Sequence, residues 1–169
     1  MKVSIHEAGP GDAPTIANLL QLYLHDFTEF DGHDADDSGR FAYDDLAPYW
    51  TEPDRRAFLI RADGRLAGFV LVDREAPLSG PGACWSIAEF FVMRKYRRRG
   101  IGARAAAEVF RRLPGRWEVS QIAANTPAQV FWRAAIARCT GGRYTETFVE
   151  GDDCRGPVQS FTIESPAPG

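Results

Sequence analysis

The chain has 169 residues, of which 44% are hydrophobic and 12% aromatic, and its formal net charge is -3. These values exclude a disordered chain and favour one soluble domain with a sizeable core over two domains. We expect no membrane association, because no apolar run is long enough to span a bilayer and no signal peptide is recognisable. Cys84, Cys139 and Cys154 are widely separated, which predicts free thiols in a reducing cytoplasm and neither a disulfide framework nor a zinc site.

Charge is distributed unevenly along the chain. Residues 94–116 contain nine Lys or Arg and one acid, whereas residues 25–54 contain ten Asp or Glu and one Arg. The local net charges are therefore +8 and -9. This separation indicates either two ligand sites of opposite sign or two solvated surfaces, and both interpretations stay open at this point.

The first half of the chain predicts strands around one helix. A strand covers 2–8, and a helix with Asp12 as N-cap covers 9–27. The acidic segment 28–50 is predicted to be loop or short helix. Residues 56–72 form a hairpin that turns at an Asp-Gly pair, residues 77–82 form a loop, and the continuous apolar run 84–93 predicts a central strand.

The second half alternates helices and strands. A helix is predicted over 100–112, a strand over 116–124, and a helix over 125–139 with Thr126 as N-cap and Pro127 at its first position. Strands at 143–149 and 158–163 close the domain. The sequence therefore predicts one α/β (α+β) domain over 1–164 with a mixed sheet, followed by a disordered tail at 165–169.

The segment 96–107, YRRRGIGARAAA, leads from the central strand into a helix. The first N–H groups of a helix have no partner within it, and the helix dipole adds positive charge at the same place. Gly100 and Gly102 allow an anion to reach the backbone, and the arginines add full charges around it. This arrangement predicts a phosphate or pyrophosphate site.

Other anion-binding motifs explain this segment less well. A P-loop requires Lys and Ser or Thr where the chain has Ala103 and Arg104. A dinucleotide-binding turn requires a third glycine where the chain has Ala105, in an early βαβ unit. A nucleic-acid surface would carry interleaved exposed aromatic residues, and the acidic half would repel a long polyanion. We expect no nucleic-acid partner.

Arg97-x-x-Gly100-x-Gly102 is similar to the [QR]-x-x-G-x-[GA] signature of the GNAT superfamily of acyl-CoA-dependent N-acetyltransferases. The stretch RWEVSQIAANTPAQVFW resembles the next strand and helix of that family, whose pattern N-x-x-A-x-x-[LF]-Y is matched by Asn125, Ala128, Phe131 and Trp132. The order of elements matches over nearly the whole chain. The resemblance implies a mixed, mostly antiparallel sheet of six to seven strands, flanked by helices, in which a splayed central strand pair holds the cofactor.

The resemblance implies transfer of an acetyl group from acetyl-CoA to a primary amine by direct attack, without a metal. Backbone groups at 91–93 would pair with the pantetheine arm, N–H groups at 98–103 would hold the pyrophosphate, and a strand N–H near Val92 would receive the oxyanion. The residues that it assigns to the cofactor are Phe91, Val92, Met93, Arg97, Arg98, Arg99, Gly100, Ile101, Gly102, Ala103, Asn125, Phe131 and Trp132.

The chain departs from the family pattern at Trp132, where the family usually has a tyrosine that acts as general acid. An indole N–H is a donor but not a useful proton source, so Tyr144 or a water would take this role. A non-catalytic acyl-CoA-binding or regulatory domain of the same fold is therefore the alternative to an enzyme.

Glu89 is the candidate base, because it is the one acid in the apolar run 84–93 and burial would raise its pKa. The alternative is a structural charge paired with a residue such as His6. Strand alternation places Glu89 on the face of Phe91 and Met93, opposite Val92, unless a bulge resets the register.

The acidic segment and its aromatic residues are the predicted acceptor side, with solvated loop as the alternative. The acceptor residues are predicted to be Asp26, Glu29, Asp31, Tyr43 and Trp50. An acidic, aromatic cleft suits a small-molecule amine as well as a protein or peptide amine. The sequence leaves the identity of the acceptor open, and it is compatible with a monomer or a homodimer.

Overall fold

The computed structural model describes residues 1–44, 46–151 and 155–165, and its centre is a seven-stranded sheet. The strands are β1 (Val3–Glu7), β2 (Arg56–Ala62), β3 (Arg65–Ala76), β4 (Gly80–Val92), β5 (Gly115–Ser120), β6 (Thr145–Glu150) and β7 (Arg155–Ile163). Their order in the sheet is β1-β2-β3-β4-β5-β7-β6, and every neighbouring pair is antiparallel except β4 and β5, which are parallel. This confirms the predicted mixed, mostly antiparallel sheet.

Helices cover both faces of the sheet. The helices are α1 (Ala13–Asp31), α2 (Pro48–Thr51), α3 (Ile101–Arg112) and α4 (Thr126–Thr140). The apolar side chains of α1 and α2 pack with Leu59, Phe69 and Phe91 in one core, and those of α3 and α4 pack with Val70 and Trp117 in the other. Strands β2, β3 and β4 therefore supply residues from their two faces to two cores.

Several element boundaries differ from the sequence predictions. Helix α1 continues beyond 27 to Asp31, because the aromatic contacts of its apolar stripe continue from Phe27 to Phe30 at 5.9 Å between ring centroids. Strand β4 begins at Gly80 and not at 84, because its pairing with β3 continues as far as Ala76 and Gly80. Only 77–79 of the predicted loop at 77–82 therefore lies outside the strands.

The prediction that Thr126 is the N-cap of α4 was wrong. Asn125 is the N-cap, and its side-chain oxygen accepts a hydrogen bond from the Ala128 N–H at 3.1 Å. Strand β5 ends at Ser120, four residues before the predicted end at 124, although the N–H groups of Gln121 and Ala123 still bond the Pro157 and Arg155 carbonyls of β7. Cys154 and the tail residues 166–169 lie outside the described residues.

The parallel strands β4 and β5 pair only at one end in the described part of the chain. Two register pairs join them, Trp85 with Trp117 and Ser86 with Glu118. Trp117 also contacts the rings of Phe110 and Phe161 at 4.8 and 6.5 Å, so aromatic side chains fill this closed end. Beyond it the two strands diverge, and they leave a gap between the last residues of β4 and the end of β5.

A bulge in β4 sets the direction of its side chains beside the gap. Leu71 pairs with Glu89, but the next residue of β3, Val72, pairs with Ile87, so that Ala88 is an extra residue in β4. Glu89 consequently lies on the side of the sheet that faces α1, whereas Ile87 lies in the core under α3. The bulge leaves Glu89 on the same face as Phe91, as the sequence predicted.

Candidate functional site

Glu89 lies half-buried between two tyrosines on the α1 face of the sheet. The Tyr43 hydroxyl donates a hydrogen bond to Glu89 Oε1 at 3.1 Å, and the Tyr23 hydroxyl lies close enough to favour the charged form of the same carboxyl. Burial raises the pKa of Glu89 to about 7, although the two hydroxyls favour the charged form. At neutral pH this carboxyl is therefore able to gain or lose a proton.

The ionisable side chains nearest to Glu89 are one aspartate and the two tyrosines. Asp73 is buried on the same side and raises the pKa of Glu89 further. Burial and the negative charge of Glu89 raise the pKa values of Tyr23 and Tyr43 well above the ordinary value. Both hydroxyls therefore remain protonated donors across the neutral range.

The segment that carries Tyr43 is fixed to α1 and borders a cavity. The side-chain amide of Gln21 bonds the Phe41 backbone twice, at 3.1 and 2.8 Å. A cavity of about 800 Å³ opens between α1 and the segment 36–51, with Tyr43 and Trp50 in its wall. Because Tyr43 also bonds Glu89, the cavity and the carboxyl group share a wall, and its volume suits a small ligand.

The structure separates the five predicted acceptor residues into two groups. Tyr43 and Trp50 line the cavity, whereas Asp26, Glu29 and Asp31 lie on the last turns of α1. The Asp26 carboxylate pairs with Arg94 and Arg97, and the Asp31 carboxylate accepts from His33 Nδ1 at 2.7 Å. Glu29 is exposed. The three acids thus lie away from the cavity, and two of them already have partners.

The glycine-containing turn between β4 and α3 presents free backbone N–H groups. Arg98 and Gly100 have φ values of 58° and 73°, in the left-handed region that favours glycine. The first bond of the helix runs from the Arg104 N–H to the Gly100 carbonyl at 3.1 Å, so the amides at 101–103 precede the helical ladder. The side chains of Arg98 and Arg99 are exposed beside this turn, which suits an anion.

Helices α3 and α4 come into close contact at Gly102. A Cβ atom at this position would lie 3.1 Å from the ring of Phe131, so a larger residue here would require that ring to shift. Trp132 is 5% exposed and lies 5.0 Å from the ring centroids of both Phe90 and Phe131. The residue at the usual tyrosine position is therefore part of the core beside the gap.

At the end of β4, the backbone N–H and C=O of Val92 point towards the gap. The Met93 N–H bonds the Ala67 carbonyl of β3 at 2.8 Å, and a Cβ atom at Gly68 would lie 1.9 Å from the Phe91 oxygen. Because successive residues of a strand direct their backbone groups to opposite edges, the Val92 N–H and C=O point away from β3. The Val92 carbonyl accepts a hydrogen bond from Arg97 Nε at 2.7 Å, which leaves the Val92 N–H at the gap.

Asn125 and Tyr144 occupy different surroundings. Asn125 uses its side-chain oxygen to cap the helix, so its amide nitrogen can donate a hydrogen bond to a different acceptor. Tyr144 precedes β6, which lies three strands from β4 in the sheet, about 14 Å at the usual strand spacing. The structure thus does not bring Tyr144 next to Glu89.

Sequence reasoning missed Tyr23, the second hydroxyl on Glu89. Tyr23 belongs to the apolar stripe of α1, and its ring contacts Phe27 and Phe69 at 5.3 and 6.1 Å between centroids. A buried tyrosine hydroxyl usually has a partner, so a tyrosine within an apolar stripe is the signal that predicts a buried acceptor.

Three further findings concern metals, membranes and thiols. In the part of the chain that the structure describes, no three His, Cys, Asp or Glu side chains cluster as a metal site would require. None of the described helices is long and apolar enough to cross a bilayer. Cys84 and Cys139 are free thiols, and burial raises the pKa of Cys84 to about 11.

A parallel strand pair that diverges into a gap, followed by a glycine turn at a helix start, defines the acyl-CoA-dependent acetyltransferase class of α/β folds. The model of the acetyltransferase (GNAT) family matches residues 16–135, and the chain belongs to this family. No curated protein matches the chain.

Solved structures agree with this assignment at the level of the fold. An acetyltransferase from Thermus thermophilus is 18% identical with a TM-score of 0.69, and the match covers 96% of this chain and 98% of that one. A putative streptothricin acetyltransferase from Bacillus anthracis, in complex with acetyl coenzyme A, is 13% identical with a TM-score of 0.61 and coverage of 97% and 100%. The spermidine N-acetyltransferase from Vibrio cholerae, in complex with CoA and spermine, is 11% identical with a TM-score of 0.63 and coverage of 95% and 95%.

Proposed function

We propose that the protein transfers an acetyl group from acetyl-CoA directly to a primary amine. The observation that carries this proposal is the position of Glu89, whose carboxyl has a pKa of about 7 and lies on β4, three residues before the Val92 N–H at the gap. A base and an oxyanion donor on one short stretch of strand are the two groups that aminolysis of a thioester requires.

The residues along the gap and the turn fit coenzyme A. The predicted pairing of 91–93 with the pantetheine arm does not hold at Met93, whose N–H bonds the Ala67 carbonyl of β3. The backbone of Phe90 and the Val92 N–H, which point away from β3, are the groups that β4 offers to the pantetheine amides. The Asn125 amide nitrogen offers a further donor. The amides at 98–103 with the side chains of Arg98 and Arg99 would hold the pyrophosphate. Phe131 and Trp132 would line the thiol end of the cofactor. Members of the same fold crystallised with CoA or acetyl coenzyme A support this assignment.

The chemistry assigned to this chain is a single transfer. Glu89 accepts the proton of the attacking amine while the new C–N bond forms, and the Val92 N–H donates to the oxygen that gains negative charge. The C–S bond then breaks. Coenzyme A thiolate is a tolerable leaving group, and water supplies its proton, because Trp132 is not an acid and Tyr144 precedes β6, three strands away from β4.

The acceptor is proposed to bind in the cavity between α1 and the segment 36–51, which Tyr43 joins to Glu89. Both a small-molecule amine and the amine of a peptide fit this position, and the fold includes a spermidine N-acetyltransferase. We place the reaction in the cytoplasm, in agreement with the free thiols of Cys84 and Cys139.

One observation favours a different function for the same fold, a non-catalytic acyl-CoA-binding domain. Trp132 fills the position of the usual acid and is buried among phenylalanine rings. The two functions are separated by incubating the protein with acetyl-CoA and a panel of amines and following the release of free thiol. Thiol release with an amine supports the enzyme. A rise in melting temperature with CoA but no turnover supports the binding domain. If the protein shows neither turnover nor a rise in melting temperature, both functions are contradicted.

A further inference from the structure

The first arginine of the glycine turn directs its side chain away from the expected anion. Arg97 Nε donates to the Val92 carbonyl at 2.7 Å, and Arg97 Nη2 donates to Asp26 on α1. Its guanidinium also lies 5.7 Å from the ring centroid of Phe91. All three contacts belong to β4 and α1. Among the arginines at 97–99, Arg97 is therefore the one that is held at the strand end.

Asp26 is the anchor of this contact. Its side chain is 18% exposed and accepts from Arg94 as well, at 2.7 and 3.0 Å. Burial acts to raise the pKa of Asp26, but the hydrogen bonds from Arg94 and Arg97 hold it below its ordinary value. The carboxylate therefore stays ionised over the whole working range, and the pair does not dissociate by protonation.

The contact matters because Val92 has two backbone groups at the same edge of β4. Its carbonyl is held by Arg97, and its N–H is the proposed donor to the thioester oxygen. Beyond Ser86 no partner strand supports this edge among the described residues, because β5 has diverged. Without Arg97 the last residues of β4 would keep only the hydrogen bonds to β3, and a donor displaced by about 1 Å can cost about 100-fold in rate.

We propose that Asp26 and Arg97 are positioning residues: Asp26 holds Arg97 against the Val92 carbonyl, and this contact fixes the Val92 N–H in the gap. The proposal rests on the proposed acetyl transfer. It assigns Asp26 to the cofactor side rather than to the acceptor, and it leaves Arg98 and Arg99 as the arginines that neutralise phosphate.

Four variants test the proposal by steady-state kinetics with acetyl-CoA and an accepted amine. Asp26→Ala and Arg97→Met are expected to lower kcat about tenfold, with both KM values within about twofold of wild type. Arg97→Gln is expected to restore most of kcat, because its amide can donate to the Val92 carbonyl without a charge. Arg94→Gln is the matched control, since it removes the other partner of Asp26 and leaves the Val92 contact, and it should change neither constant by more than about twofold.

Three kinetic results would overturn the proposal. Unchanged kcat in Asp26→Ala and Arg97→Met would show that the contact has no effect on the reaction. A KM for acetyl-CoA that rises equally in Arg97→Met and Arg97→Gln would identify Arg97 as a phosphate ligand. A KM for the amine that rises in Asp26→Ala, at constant kcat, would return Asp26 to the acceptor site.

Hydrogen exchange supplies a readout that does not depend on turnover. Asp26→Ala and Arg97→Met are expected to accelerate amide exchange in the peptide that contains 90–93, whereas Arg94→Gln is expected to leave it at the wild-type rate. Equal exchange in all variants would overturn the proposal even if the wild type acetylated no amine. An inactive wild type would contradict the proposed function alone, so the two failures are distinguishable.

Discussion

Two glutamates lie at opposite ends of the region between β4 and β5. Glu118 is buried at the closed end, Glu89 is half-buried at the open end, and the two carboxylates have different surroundings. At the closed end, Glu118 is 2% exposed and accepts from the backbone N–H groups of Leu78 and Ser79, at 2.8 and 3.3 Å, and from the Ser79 hydroxyl. At the open end, Glu89 accepts a hydrogen bond from the Tyr43 hydroxyl, lies close to the Tyr23 hydroxyl and has a pKa of about 7.

One of the two carboxylates holds a turn, and the other has a raised pKa beside a cavity. The donors of Glu118 belong to the turn between β3 and β4, so its charge closes that turn and has no access to a ligand. The donors of Glu89 are side chains of α1 and of the segment beside the cavity, and they leave the pKa near neutrality. Burial alone does not identify a base. The type of donor and the presence of a neighbouring cavity do.

The largest effect is expected from Glu89→Gln, which removes the base and keeps the shape. We expect kcat to fall about 100- to 1000-fold. The wild-type kcat should fall with pH below about 7, where Glu89 becomes protonated, and the residual kcat of the variant should lack this step. Thiol release measured between about pH 5.5 and 9 checks both points. A variant that retains the wild-type kcat and pH profile would contradict the role of Glu89 as the base.

The next largest effect concerns the turn that continues from the open end. Gly102→Glu places negative charge beside the amides at 101–103, and we expect it to weaken CoA binding about 100-fold. Gly102→Gln has nearly the same bulk without the charge and meets the same ring of Phe131. Titration calorimetry with CoA should therefore show a clearly smaller loss for the glutamine variant. Equal losses would mean that packing against Phe131, and not an anion site, explains the glycine.

Glu118→Gln should act on stability and not on the reaction. The substitution replaces a charged acceptor by a neutral one, and we expect the free energy of unfolding to fall by about 2 kcal/mol. Urea titration followed by tryptophan fluorescence measures this change. Below the unfolding transition kcat should equal that of the wild type. A tenfold loss of kcat in a folded variant would mean that the closed end also takes part in the reaction.

The smallest effect is a gain in stability from Glu89→Gln at alkaline pH. The pKa of Glu89 is raised from 4.5 to about 7 in the folded state, so the unfolded chain releases this proton first. The wild type therefore loses stability between these pH values, and the loss is complete above about pH 7. At about pH 8 the variant should be more stable by about 1 kcal/mol, a figure that allows for partial exposure, and this advantage should vanish below pH 4.5. Urea titrations at about pH 4 and pH 8 compare the two proteins, and a pH-independent difference would contradict the raised pKa.

Local patterns predicted most of the fold. The turn at Asp63 and Gly64 has φ values of 48° and 77°, as an Asp-Gly hairpin requires, and α3 spans the predicted helix to within one residue. Both features depend on residues that are close in sequence. The choice of Asn125 over Thr126 as N-cap was not predictable, because both residue types are good caps and adjacent in the chain.

The site was predictable only where it follows from one element. The turn at 97–103 and the acid of β4 are visible in the sequence, because each belongs to a continuous motif. The pairing of Asp26 with Arg94 and Arg97 joins residues 68 and 71 positions apart, and the contact of Tyr43 with Glu89 spans 46 positions. Charge counting placed Asp26 with the acceptor, since composition reveals the sign of a segment but not its partner.

The short pairing of β4 with β5 also has a mechanical consequence. The sheet consists of two parts, β1 to β4 and β5 to β7, and among the described residues only the register pairs at Trp85 and Ser86 join them. A molecule bound along the gap would touch β4 on one part and Asn125, at the start of α4, on the other. Such a molecule would link the two parts of the sheet, so that they would separate less readily when it is bound than when it has left.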